Sequence, residues 1–223
     1  VEGSLLSEIF GVGVSAMLMQ VMTLVQQTVL YNVASRYGGE TWQIILGAAL
    51  SIQSFTLIPL WGMSQGFQPA AGTNFGAKQY DRVKQMTKSF SIGATALSLI
   101  FYVPIQLAPG TILSWFIKDK DIVGQGVADF RILFSTYILL GFVLMVITLM
   151  QSLGKASKAS ILVMMRQIVL FVPLAILLPM VGGLGIDGVF LAPALTDLVV
   201  MVLAVFLLMG EFRNISKLAS QRK

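Results

Sequence analysis

Two ionisable residues, Arg166 and Asp197, stand in otherwise apolar sequence on either side of the turn Gly182-Gly183-Leu184-Gly185. Counted from Gly183, Arg166 lies 17 residues back and Asp197 14 residues on. Antiparallel helices rising 1.5 Å per residue would bring the two within about 4–5 Å of the same height. A guanidinium and a carboxylate at matched depth can pair, directly or through Gln167 or a water. The pair has two readings: a clasp between two helices, or a carboxylate that takes up and releases a proton. Charges at this depth in a membrane are costly, which makes them functional candidates.

A second set of residues is uncharged. Gly13, Ala16, Gln20, Thr23, Gln27 and Tyr31 recur at three- and four-residue intervals, on one face of a helix. Ser51 and Ser54 follow near Gly47; Tyr137 and Thr148 follow near Gly141 and Gln151. Their chemistry is hydrogen bonding and aromatic contact, suited to a water-accessible cleft. Small and hydroxyl residues serve helix packing in lipid equally well, whereas the large amides Gln20 and Gln27 favour the cleft. Covalent chemistry has no such candidates. With no cysteine and no histidine, thiol nucleophiles, cysteine-ligated zinc and imidazole bases are excluded. Asp187 and Asp197 lie ten residues apart on one helix, about 15 Å or half a membrane thickness, so a paired-aspartate hydrolase is excluded too. No enzyme activity and no cofactor are expected.

These residues need elements to hold them, and composition says which. Hydrophobic residues make up 56% of the 223 and charged residues only 11%, against roughly 25% charged in soluble domains. Mean hydropathy is +0.84. Uncharged runs cover 9–35, 41–77, 89–117, 132–154 and 167–186. About 20 apolar residues cross the hydrocarbon core as a helix, and lipid leaves the backbone no other option but a closed barrel. The short alternation of barrel strands is missing. The expected fold is therefore an all-α integral membrane protein with six spans, near 9–35, 43–68, 89–108, 129–152, 159–180 and 186–209, forming one unit over 1–209. Residues 210–223 read as a basic tail. Tyr37-Gly38-Gly39-Glu40 reads as a turn, the stretch from Gly62 to Gly76 as a span end running into a polar loop, and Ile112 to Ile117 as a short aromatic interfacial piece.

Of the 15 basic residues, eleven fall on one side of these spans and Arg36, Lys118, Lys120 and Arg131 on the other. The richer side should be cytoplasmic, with both ends of the chain inside. The same asymmetry accounts for the net charge of +5 without a nucleic-acid partner.

The stretch Gln65-Gly-Phe-Gln-Pro-Ala-Ala-Gly-Thr-Asn-Phe-Gly-Ala-Lys-Gln-Tyr-Asp-Arg-Val-Lys84 resembles the MATE (multidrug and toxic compound extrusion) antiporters where span eight meets its following loop. Residues 116–131, Gln151-Ser-Leu-Gly-Lys155 with Met165-Arg166-Gln167, and Gly185 to Asp197 resemble the entries to spans ten, eleven and twelve, in order. MATE proteins have twelve spans in two six-helix lobes, and the resemblance is to the second. It implies ion-gradient-driven efflux of small cationic organic compounds across a bacterial cytoplasmic membrane. It also implies an amino-terminal six-helix lobe as partner, in the same polypeptide or a second chain; the start at Val1 without a methionine fits that expectation. Many members carry a Glu in span seven and an Asp in span ten as coupling carboxylates. Gln20 and Val143 stand there instead, so the resemblance favours H+ over Na+, with the coupling acid in the other lobe. The rivals are a lipid-linked-precursor flippase of the same superfamily, whose cavity carries several basic residues where this chain has Arg166 alone, and a non-transporting helix bundle.

Overall fold

The computed structural model describes residues 3–220, with side-chain burial given at Met17 and from Gln20 onward. Burial at Gly13 and Ala16, and the tail residues 221–223, lie outside the described residues. The described chain is almost entirely helical, and most of its helices are built around an uncharged run with glycine, proline or charge near its ends.

Helix α1 runs Gly3–Gly76 and is broken at Gly39, whose φ of 71° and ψ of −159° suit glycine alone. A Cβ built on Gly47 would lie 3.2 Å from the Tyr31 hydroxyl, although sixteen residues of straight helix would part them by about 24 Å. The chain therefore doubles back at Gly39, and α1 supplies two antiparallel limbs. The second limb does not end near residue 68 as the sequence suggests. It stays helical through the glycine-rich stretch because Phe67 and Ala71 are buried and Phe67 stacks on Phe90 with ring centroids 4.9 Å apart. Asn74 Nδ2 donates to the Ala70 carbonyl at 2.8 Å, and glycine at 72 lets the limb pass close to the Ser152 carbonyl.

Helix α2, Tyr80–Leu107, returns across the bilayer. The short α3, Pro109–Ser114, buries Leu113 and leaves Trp115 and Phe116 exposed, the arrangement expected of an aromatic piece at the membrane interface. Helices α4, Lys120–Phe134, and α5, Tyr137–Ser152, form one interrupted crossing. Asp119 caps α4 by accepting from the Asp121 amide at 2.9 Å. α5 is the centre of the bundle and packs on α1, α2 and α8. Gly141 makes its closest approach possible: a Cβ there would meet the Ala94 carbonyl of α2 at 2.5 Å.

The fifth crossing is segmented into α6, Ala156–Met164, a π-helical turn, Met165–Val169, α7, Phe171–Leu177, and a 3-10 turn, Leu178–Met180. Helix α8, Gly185–Ser220, closes the bundle. It continues well past residue 209, so residues 210–220 of the basic tail extend the last helix. Five stretches are long and apolar enough to cross a membrane. With the first folded at Gly39, the described residues make six crossings.

Candidate functional site: an open face and a mid-membrane ion pair

The π-helical turn is where the fifth crossing reaches its neighbours. Arg166 Nε donates to Asp197 Oδ1 of α8 at 2.7 Å, while Gln167 Nε2 donates to Thr23 Oγ1 of α1 at 3.0 Å. Two adjacent residues thus tie this crossing to the last helix and to the first. The register inferred from the Gly183 offset is the one observed. Asp197 is 6% exposed and Arg166 27%; a carboxylate this deep persists only with a charged partner in hydrogen-bond contact.

Arg166 also borders a cavity of about 80 Å³ together with Trp61 of α1 and Val143 of α5. On the second limb of α1, Ser51, Ser54, Phe55, Ile58, Trp61 and Gln65 are exposed at helical spacing. On the first limb Gln20, Leu24 and Thr28 are exposed. Both stripes mix polar with apolar side chains, which a face turned only to lipid would avoid.

The other sequence candidates divide. Thr23 and Gln27 are half-buried, and Ser51 and Ser54 are exposed with their hydroxyls donating to the Gly47 and Leu50 carbonyls of their own helix, both at 2.8 Å. Tyr31 packs on Gly47. Tyr137 and Thr148 are buried inside the bundle, away from either open stripe. Thr148 shares a 2.7 Å hydrogen bond with Ser64 of α1, so it fastens two helices.

Two further polar sites escaped the sequence reading. Glu211 on α8 is 1% exposed and is held by both Lys155, the residue before α6, and Lys158, the latter at 3.2 Å. Lys84 also reaches α8, at Ser216. Near the opposite end, Asp129 on α4 is buried with Oδ1 unpartnered, and its charged neighbour is Asp187 at the start of α8. A lysine spacing of three before a helix was the available signal for the first; an aspartate in the opening turns of a span was the signal for the second.

Residues 13–177 match the MatE family. The chain belongs to that family. Among relatives, it is 22% identical over 204 residues to the multidrug export protein MepA of Staphylococcus aureus strains MSSA476 and MW2, covering 91% of this chain and 45% of theirs. Among solved structures, the MatE fold seen here superposes on an inward-facing conformation of a multidrug resistance MATE family transporter of the MOP superfamily with a TM-score of 0.87, at 22% identity, covering 99% of this chain and 50% of that one. An outward-facing conformation gives 0.85 at 23% identity, over 98% and 48%. A crystal structure of MATE in complex with MaL6 gives 0.86 at 22%, over 99% and 49%. The MatE chain thus spans about half the length of the relatives it matches, and its fold is that of one lobe of such a transporter.

Proposed function

We propose that this chain is the carboxy-terminal half of an ion-gradient-driven exporter of cationic drugs and toxic organic compounds. It would sit in a bacterial plasma membrane with its basic end, and both termini, in the cytoplasm, and work against an amino-terminal six-helix lobe. The observation that carries this reading is the pair of mixed polar and apolar stripes left uncovered on the two limbs of α1, in a lobe whose relatives are about twice as long. Charge-free donors and aromatic rings suit varied organic cations, and Gln20, Thr23, Gln27, Ser51 and Ser54 are the residues we assign to that cleft.

The lobe matches inward- and outward-facing relatives almost equally, with TM-scores of 0.87 and 0.85. That supports alternating access by rocking of whole lobes, the lobe itself changing little. Gln20 and Val143 can neither neutralise Na+ nor exchange a proton, so we assign the main coupling acid to the first lobe, with protons as the coupling ion. The Arg166–Asp197 pair stands on a π-helical turn and opens to the cavity beside Val143. This favours a role in transport beyond that of a clasp. When Asp197 takes a proton, its hold on Arg166 weakens and the turn is free to change its partner.

The test is ethidium efflux from energised vesicles, comparing this chain alone with the chain joined to a MATE first lobe. Efflux from the joined form only is expected. No efflux from the joined form, or equal efflux from the chain alone, would overturn the reading.

A further inference from the structure

On the outer surface of the bundle, away from the stripes of α1, a groove of about 450 Å³ runs between α2, α5 and α8. Its two ends differ. At the basic end it is walled by Lys88 and Ser91 of α2; deeper, it is walled by Ile92 and Leu99 of α2, Phe142 of α5 and Leu208 of α8. Lys88 to Leu99 is eleven residues, about 16 Å of helix, which matches half of a hydrocarbon core about 30 Å thick. The groove is therefore one leaflet deep, with a cation at the membrane surface and apolar walls toward the middle.

The charge at its mouth is uncompensated. Lys88 is exposed and takes part in no ion pair among the described residues. The nearest acid on its own helix is Asp81, two turns away. Glu211, which precedes the groove residue Phe212, is already held by Lys155 and Lys158. Lys84 lies one turn before Lys88, and Arg213 follows Phe212, so further positive charge flanks the mouth. Just inside, the Ser91 hydroxyl is buried and has no hydrogen-bond partner. An unpaired buried hydroxyl beside a free cation on an otherwise apolar wall fits the head of an amphiphile.

We infer that this groove binds one anionic phospholipid of the leaflet at the basic end. Its phosphate lies against Lys88 and the Ser91 hydroxyl, and one acyl chain lies along Ile92, Leu99, Phe142 and Leu208. The anionic lipid is preferred because the mouth carries positive charge without a carboxylate to answer it. A juxtamembrane lysine facing anionic lipid strengthens binding by roughly fivefold.

The experiment is native mass spectrometry of the purified chain released from mixed micelles containing equal phosphatidylglycerol and phosphatidylcholine. One retained phosphatidylglycerol per chain is expected. Lys88→Gln should reduce that adduct roughly fivefold, Lys88→Arg should keep it, and Ala96→Phe, which fills the groove from an exposed position, should remove it with Lys88 intact. Inorganic phosphate added in excess should not displace it, since the apolar walls contribute only to a lipid. Equal retention of both lipids, or retention unchanged by Lys88→Gln and Ala96→Phe, would overturn the inference. So would displacement by phosphate alone. Size-exclusion profiles matched to the parent chain establish that each variant is folded.

Discussion

Helix α8 carries two buried carboxylates, and they are held in opposite ways. Glu211 lies between two lysines that precede and open α6, each about a third exposed to solvent, with side chains 33% and 39% accessible. Asp197 has one charged partner among the described residues, Arg166, on a π-helical turn in the middle of its span. Fourteen residues part the two acids, about 21 Å and close to four full turns, so both look toward the same neighbouring crossing. The end cluster has redundancy and access to water, and loss of one lysine leaves the other. The middle pair has no second partner among the described residues, and it opens only to the cavity beside Val143. Redundant, wet charge suits a fastening. A single pair on an irregular turn, opening to a cavity, suits a part that must change.

The largest effect is expected where the single pair is broken on one side. Arg166→Leu leaves Asp197 uncompensated and should lower stability by about 3–5 kcal/mol, read as thermal unfolding in detergent. Replacing both, Arg166→Leu with Asp197→Leu, should return stability close to that of the parent, because a buried pair exchanged for apolar side chains is often neutral. Glu211→Gln should cost less, about 1–2 kcal/mol, since both lysines can turn to water. Efflux by the joined transporter should survive that change. The smallest effects belong to neutral contacts. Thr23→Val and Ser64→Ala should each cost about 0.6 kcal/mol, the average for a hydrogen bond between helices in a bilayer. If Glu211→Gln proved more damaging than Arg166→Leu, the contrast between the two sites would fail.

The sequence made the contrast only half visible. Arg166 and Asp197 stood out because uncharged sequence surrounds them, and helix rise about Gly183 matched their depth. The reversal at Gly39 was equally legible, since adjacent glycines interrupt an apolar run. Glu211 was not, because it follows the drop in hydropathy that marks the end of a span. A helix stays regular past that point when its charges find partners, and those partners, Lys155 and Lys158, are more than fifty residues away in sequence. The glycine-rich stretch to Gly76 misled for a related reason. Glycine and proline weaken an isolated helix, but here Phe67 and Ala71 are buried and the limb lies against the end of α5. The π-helical turn has no sequence signature in Met165-Arg-Gln-Ile-Val169; it lies where Arg166 and Gln167 reach two different helices. Thr148 and Tyr137 look like cleft residues by type, and only packing shows them inside.

The most direct test of this account is ethidium efflux from energised vesicles by the chain joined to a MATE first lobe, with the Arg166→Leu, Asp197→Leu double variant set beside Glu211→Gln. The account predicts that the double variant folds and inserts normally but is silent, while Glu211→Gln still exports. Export by the double variant at the parent rate would contradict it, and would reduce the mid-membrane pair to a clasp.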